Sequence, residues 1–233
     1  MARVLVRAWP KLSPRLREQA TELCVARTET ADVLLYAVQE RIVSPTEISI
    51  AAQNRLLLSP SPENRKAAEG LWRKRDPNRA KLIAQYRKAL QDTGNMERGA
   101  QMFDRICASC HALKGRGSAV GPDLATLRDK SAEDFLVAIL DPNAAIEPRF
   151  ISYNVETKDG RSLSGVFRSE TATSVELVAP GIHETLLRSD IASITASSLS
   201  LMPEGLEQGI TPAQMNDLIA FLKAAPSAAS ASR

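Results

Sequence analysis

Cys107-Ala108-Ser109-Cys110-His111 is the stretch of sequence that decides how this chain folds and what it binds. Two thiols three residues apart lie on one side of a helical turn, so both can form thioethers with the vinyl groups of one porphyrin. The imidazole that follows then points at the iron. The Cys-x-x-Cys-His spacing therefore predicts one covalently attached haem c, with Cys107 and Cys110 as anchors and His111 as an iron ligand.

Two other kinds of site use paired cysteines, and both stay open as alternatives. A dithiol redox pair needs no histidine and usually lies where a strand passes into a helix. A four-thiolate zinc site needs a second pair of cysteines, and the chain has only one more cysteine, Cys24. Cys24 follows Leu16, Ala20 and Leu23 on an apolar helical stripe, which predicts a buried and inert thiol.

Composition excludes disorder and gives little support to a nucleic-acid partner. The 233 residues, 44% of them apolar, suffice for one large domain or two small ones with packed cores. Residues 1–98 carry 18 Lys and Arg against 11 Asp and Glu, whereas residues 99–233 carry 12 against 16. The basic half lacks interleaved aromatic residues and a recognition motif. We therefore expect a solvated face or an acidic protein partner there, and no nucleic acid.

The sequence predicts no membrane span, because no run approaches the ~20 apolar residues that cross a bilayer. Residues 1–12 carry some positive charge, but their apolar core is too short for a signal peptide. Covalent haem attachment takes place on the outer side of the cytoplasmic membrane. We therefore expect a periplasmic or otherwise exported protein, of which this sequence is a mature form or a fragment.

The first part of the chain, residues 1–92, has the pattern of short helices separated by Ser, Pro and Asp punctuation. The start signals are Ser13-Pro14, Thr28 or Thr30, Ser44-Pro45-Thr46-Glu47, Ser61-Pro62 and Asp76-Pro77. Five helices at intervals of about 15 residues indicate antiparallel pairs, as in a HEAT-like solenoid. An irregular helical bundle is the alternative.

Residues 93–223 have the pattern of a helical haem domain. An amphipathic helix over Asn95–Arg105 delivers the haem motif at its end, and a glycine-rich loop follows over Leu113–Leu127. Further helices are expected to begin at Ser131 and at Thr211. This arrangement predicts backbone lying close to the porphyrin edge.

A β segment is predicted to interrupt the haem domain. Residues 150–195 alternate apolar and polar positions between tight turns, which is typical of an antiparallel β-meander or a small SH3-like barrel. Residues 224–233, rich in Ala and Ser, are expected to form a disordered tail. The predicted fold class is thus mainly α with a small β insert.

The second iron ligand is either a methionine or His183, the only other histidine. Met202 lies 91 residues after His111, and removing the 46 residues of the β segment shortens this separation to 45. Pro203 restricts Met202 to an extended conformation, which suits a loop that places a thioether over the ring. A core methionine is the alternative at position 202. We expect the carbonyl of Pro122 to hold the ring nitrogen of His111 that does not bind iron.

Four blocks, taken in order, resemble the planctomycete/verrucomicrobial-type haem-binding domain. They are Gly99 with Cys107–His111, Gly117 with Val120–Leu124, Asp141–Pro148, and Ser200–Leu206, so that the resemblance covers residues 94–223. It implies a class I cytochrome c-like domain at the C-terminus of a large exported protein, often after helical repeats. It also implies His111 and Met202 as axial ligands, in a haem pocket to which Gly121, Pro122 and Leu124 contribute.

The leading functional interpretation is a carrier of single electrons between an exported dehydrogenase, such as a sugar-oxidising one, and a respiratory acceptor. We prefer an electron-transfer protein, or the electron-transfer domain of a larger oxidoreductase, to an enzyme in its own right. A haem peroxidase or ligand sensor is the first alternative, although the sequence offers no convenient distal His or Arg constellation. A partner-docking scaffold with a structural haem is the second.

Overall fold

The computed structural model describes residues 1–72, 76–91, 93–127, 129–144 and 146–224. The chain divides into two compact units that alternate along the sequence. Unit 1 comprises Met1–Arg75, Asn143–Val178 and Ile182–Leu201, and unit 2 comprises Asp76–Pro142, Ala179–Gly181 and Met202–Arg233. No helix within the described ranges is long and apolar enough to cross a membrane. Except for Ala224, the tail predicted over residues 224–233 lies outside the described residues.

Unit 1 begins with short helices that follow the start signals in the sequence. They are α1 (Ala2–Ala8), α2 (Pro14–Val25), α3 (Thr28–Gln39), α4 (Ile50–Leu57) and α5 (Pro62–Trp72). Ser44 and Glu47 form the expected capping box, but it begins a 3₁₀ turn and not an α-helix. The helix α4 begins after Ser49, which is its N-cap. The helix α2 packs against α3, and α4 against α5. Irregular bundles also pair successive helices, so the HEAT-like assignment stays a prediction.

The buried face of α2 differs in part from the predicted apolar stripe. Cys24 is 1% exposed, as expected, and Ala20 is buried beside it. Leu16 and Leu23 are instead about half exposed. Arg17 and Thr21 are buried in place of these two leucines. Each side chain finds a hydrogen-bond partner in the core: Glu47 for Arg17, and a backbone carbonyl for Thr21.

The predicted β segment forms a five-stranded antiparallel sheet with strand order β4-β3-β2-β1-β5. The strands are β1 (Ser152–Thr157), β2 (Ser162–Glu170), β3 (Ser174–Ala179), β4 (Ile182–Leu187) and β5 (Ile191–Ala196). The alternation of apolar residues gives the sheet one buried face, on which Tyr153, Val155, Val175 and Leu177 pack together. The tight turn before β2 contains Gly160 at φ +88°.

Apart from Ala179 at the end of β3, the sheet belongs to the same compact unit as the N-terminal helices. Thr46 Oγ1 donates a hydrogen bond to the carbonyl of Ser197 at 2.7 Å. Glu170 accepts hydrogen bonds from Ser13 Oγ and from the backbone N–H of Arg15. The sequence placed residues 150–195 in the haem domain, but the position of an insert along the chain does not determine which surface it packs against.

Unit 2 contains the helices α6 (Pro77–Arg87), α7 (Met96–Ile106), α8 (Ala132–Leu140) and α9 (Pro212–Lys223). Capping boxes at Ser131 and Thr211 begin α8 and α9, as the sequence predicts. Because α6 packs against α8 and α9, unit 2 begins at Asp76, earlier than the predicted domain boundary at 92/93. The apolar faces of these helices form one core.

The most extensive helix contact in unit 2 is between α7 and α9. A Cβ at Gly99 would lie 2.2 Å from the carbonyl oxygen of Asp217, so only glycine allows the two backbones to approach this far. The rings of Phe103 and Phe221 pack beside this contact at a centroid distance of 5.9 Å. The helix that leads into the haem motif is thereby held against α9.

Candidate haem-attachment site

The haem motif forms a helical turn directly after α7. Cys107 is the C-cap of that helix, and its backbone N–H donates to the carbonyl of Phe103 at 2.8 Å. The N–H groups of Cys110 and His111 then donate to the carbonyl of Cys107 at 3.0 and 2.9 Å. The structure therefore brings both thiols and the imidazole together on a single turn.

The predicted glycine-rich loop folds back over this turn. The backbone N–H of Ser118 donates to the carbonyl of Ala108 at 2.9 Å. Those of Val120 and Gly121 both donate to the carbonyl of Cys110, at 3.0 and 2.7 Å. These bonds satisfy carbonyls that a helix end leaves unpaired, and they fix the loop against the motif.

Gly117 allows the loop to approach the motif closely. Its φ is +77°, and a Cβ at this position would lie 2.1 Å from the carbonyl oxygen of His111. An L side chain would be strained by the backbone conformation and would also clash with the carbonyl. The glycine is thus required by both the turn and the contact.

The imidazole of His111 is held by Pro122, as expected. Its Nδ1 lies 2.9 Å from the carbonyl oxygen of Pro122. Because a carbonyl oxygen can only accept, Nδ1 carries the hydrogen, and Nε2 keeps a lone pair for a metal. Burial lowers the pKa of His111, and this effect outweighs the hydrogen bond to Pro122, which would raise it. The neutral imidazole that iron ligation requires is therefore favoured.

Cys107 has the properties of an anchor more than those of a reactive thiol. Burial, with a smaller contribution from neighbouring Cys110, raises the pKa of the Cys107 thiol to about 12. Redox dithiols and zinc ligands act as thiolates, which a lowered pKa favours. Within the described ranges, no group of three or more His, Cys, Asp or Glu side chains could hold a metal ion. The raised pKa of the Cys107 thiol favours thioether attachment over the two alternatives.

The residues of this site fit a covalently held haem. Two thiols and a neutral imidazole share one turn, and Gly121 brings backbone against the imidazole without a side chain. The nearby core is apolar: Leu124 is 7% exposed, and Met202 and Leu206 pack against the same cluster as Cys107. Such surroundings would exclude water from a haem bound there and tune its potential.

The two candidates for the second ligand lie in different surroundings. Met202 belongs to unit 2 and is partly buried against the core cluster that also includes Cys107 and Leu124. His183 belongs to strand β4 of unit 1, where its side chain is 62% exposed and its Nε2 pairs with the carboxylate of Glu176. The structure therefore places Met202, and not His183, among the apolar residues of the haem domain.

Two residues that contact the segment after Met202 were not predicted from the sequence. They are Arg79 and Tyr86 of α6, a helix that the sequence placed in the repeat region. Two acidic residues close together in a Pro- and Gly-bounded segment, Glu204 and Glu207, were an available signal for a basic partner. That signal does not identify which of the 30 Lys and Arg residues provides the charge.

Comparison with known families agrees with this geometry. The cytochrome c family model matches residues 96–162, a range that contains the haem motif, the glycine-rich loop and Pro122. The chain thus carries a c-type cytochrome domain, a type of domain that binds haem and transfers electrons. The matched range ends before Met202. No curated protein matches the chain.

Proposed function

We propose that this protein carries single electrons through one haem c attached at Cys107 and Cys110, with His111 and Met202 as the axial ligands. The observation that carries the proposal is the single turn on which both thiols and the Pro122-held imidazole lie. A haem bound there supplies one-electron chemistry at its iron. The protein supplies the attachment, the ligands and the surroundings that set the potential.

The proposed ligands divide the task between them. His111 offers Nε2, and the hydrogen bond from Nδ1 to Pro122 fixes the ring plane and makes the imidazole a better donor. Met202 would offer a thioether, a soft ligand that favours ferrous iron and raises the potential. With both sites filled, no position is left for a substrate, which suits electron transfer.

The surroundings of Met202 also weigh against a peroxidase or ligand sensor. Cleavage of an oxygen–oxygen bond needs polar groups over the iron, whereas Met202 packs against an apolar cluster. We therefore rank the catalytic interpretation, and that of a scaffold with a structural haem, below the electron carrier.

We further propose a setting for the carrier. Covalent haem attachment requires export, so we infer a periplasmic location, with a dehydrogenase as donor and a respiratory component as acceptor. The resemblance to the planctomycete/verrucomicrobial-type domain supports such a place beside an exported, sugar-oxidising dehydrogenase. Paired helices in unit 1 are compatible with the HEAT-like repeats that accompany this type of domain.

The test is production in a periplasm that contains the haem-attachment machinery. We expect the haem to stay on the polypeptide in acidified organic solvent, and the purified protein to titrate with a one-electron Nernst curve. The ferrous form should not bind carbon monoxide, because both axial positions are filled. A Cys107→Ala/Cys110→Ala variant is the control and should release any haem it holds. Extractable haem in the unsubstituted protein, or rapid turnover of hydrogen peroxide, would contradict the proposal.

A further inference from the structure

The segment that follows Met202 has little regular structure of its own. Residues 202–210 contain turns but neither helix nor strand. Two glycines, Gly205 at φ +85° and Gly209 at φ +82°, bend the backbone. Backbone bonds within the segment span only three residues, from Gln208 to Gly205 and from Ile210 to Glu207. A segment with such local bonding needs anchors elsewhere to hold a side chain in a fixed position.

Arg79 of α6 provides one anchor with two contacts. Its Nη2 lies 2.8 Å from Glu204 Oε2, and its Nη1 lies 3.1 Å from Glu207 Oε1. The arginine side chain is 16% exposed and that of Glu207 is 11% exposed, so water screens the second contact weakly. One planar guanidinium thus bridges two carboxylates of the same segment, a geometry that lysine cannot reproduce.

Tyr86, on the same face of α6, provides a second anchor. Its hydroxyl donates to the carbonyl of Ile210 at 2.6 Å, and the side chain is 7% exposed. Ile83, between the two on this face, is buried in the core of unit 2. The face is therefore fixed at its centre and contacts the segment at both Glu204 and Ile210.

From these contacts we propose that Arg79 is a positioning residue for the haem: it holds residues 202–210 so that the Met202 thioether stays on the iron. The inference rests on the proposed His111/Met202 ligation. Glu204 is only two residues from Met202, so release of its carboxylate frees the adjacent backbone. Arg79 lies outside the range 96–162 that the cytochrome c family model matches. The proposal therefore gives α6 a role in haem ligation that the matched range does not include.

The experiment compares Arg79→Ala, Arg79→Lys and Arg87→Ala in the full-length holoprotein. Arg87 is the matched control. It lies on the same helix and forms an exposed ion pair with Glu133 of α8. Three readouts are used: the sulfur-to-iron charge-transfer band, carbon monoxide binding to the ferrous form, and alkylation of Met202 by iodoacetate, located by peptide mass. Alkylation reports directly how often the thioether leaves its position.

For Arg79→Ala we expect a weaker charge-transfer band, carbon monoxide binding, and alkylation of Met202 faster by about tenfold or more, since charge-assisted hydrogen bonds are lost. Arg79→Lys should recover part of this protection. Arg87→Ala should behave as the unsubstituted protein. An Arg79→Ala variant that matches Arg87→Ala in all three readouts overturns the inference.

Two further variants keep the result interpretable. If Arg79→Ala does not accumulate, Glu204→Gln/Glu207→Gln removes the negative charges that Arg79 contacts and weakens both hydrogen bonds from the other side, so it should give the same three changes. A Met202→Ala variant tests the ligation itself. If its band is unchanged, the proposed ligand set is wrong; if the band is lost there but retained in the Arg79 and Glu204/Glu207 variants, only the positioning role fails.

Discussion

Gly121 packs so closely against His111 that a Cβ at position 121 would lie 2.6 Å from Cε1 of the imidazole and 2.9 Å from Nδ1. Both distances are far below van der Waals contact, so an alanine must push the ring away from the carbonyl of Pro122. We expect Gly121→Ala to destabilise the haem domain by about 1–3 kcal/mol and to reduce the haem-to-protein ratio severalfold. Absorbance and urea unfolding of purified protein measure both effects.

The control for this change is Gly70→Ala. Gly70 lies in α5, and a Cβ there meets nothing within 4 Å. The substitution should leave the haem ratio unchanged and raise stability by about 1 kcal/mol through helix propensity. If the two alanine variants behave alike, the contact between Gly121 and His111 has no role in holding the haem.

The identity of the second ligand is tested by two single substitutions. Met202→Ala should remove the sulfur-to-iron charge-transfer band, open a site for carbon monoxide and lower the reduction potential, because the soft ligand is lost. His183→Ala should change none of these, since its imidazole pairs with Glu176 in the sheet. Optical spectra and potentiometric titration provide the measurements. The opposite outcome, a high-spin His183 variant beside a native-like Met202 variant, would establish bis-histidine ligation.

Unit 1 depends on a buried ion pair. Arg17 Nη1 lies 2.7 Å from Glu47 Oε1, and both side chains are 4% exposed. Glu47 Oε2 also accepts from Trp9 Nε1 and from the backbone of Ser44, while Arg17 Nη2 reaches the carbonyl of Ile194 in β5. Glu47→Ala should therefore cost about 3–5 kcal/mol, because it leaves a buried guanidinium unpaired. Urea unfolding followed by tryptophan fluorescence measures the loss.

Two comparisons make this measurement specific. Removing both charges in Arg17→Met/Glu47→Leu should cost much less than Glu47→Ala, since no buried charge is then left without a partner. Glu22→Ala breaks the exposed pair with Arg55 and should change stability by less than about 1 kcal/mol. If Glu47→Ala and Glu22→Ala lower the free energy of unfolding equally, the Arg17–Glu47 pair contributes no more to stability than an exposed ion pair.

The parts of the molecule that the sequence predicted well are those with local causes. The turn over Cys107–His111, the hydrogen bond from His111 to Pro122, and the capping boxes of α8 and α9 all depend on residues close together in the chain. The β-strands were also visible, because alternation with period two is a local pattern. Each of these features could therefore be read from a few neighbouring residues.

The features that were not predicted from the sequence depend on contacts between residues far apart in the chain. The charge of buried Arg17 is paired with Glu47, thirty positions away, and a pattern of apolar residues cannot show this. The sheet packs with the N-terminal helices through contacts such as Thr46 to Ser197, which no local pattern encodes. Likewise α6 looks like one more helix of a series, and only contacts with residues far along the chain, such as Glu204 and Glu207, assign it to the haem domain.

Asp217 joins α9 to the start of α7 and makes the stability of the haem domain depend on pH. It accepts hydrogen bonds from the backbone N–H of Asn95 at 2.6 Å and from Arg98 Nε at 2.8 Å. Burial alone would raise the pKa of Asp217, but the bonds from Arg98 and Asn95 outweigh it and hold the pKa below its ordinary value. The unfolded chain therefore binds this proton more readily than the folded one does.

It follows that the carboxylate of Asp217 stabilises the fold fully above the pKa of an unfolded aspartate, about 3.9, and that this contribution is lost as the pH falls through the lower folded value. Asp217→Asn keeps the shape and removes the charge. Its urea midpoint should lie below that of the unsubstituted protein at pH 7, and the difference should shrink as the pH is lowered past 4. The measurement is a pair of urea titrations across pH 3 to 7, with the haem still attached. A difference that stays constant over this range would mean that the charge of Asp217 does not stabilise the contact between α7 and α9.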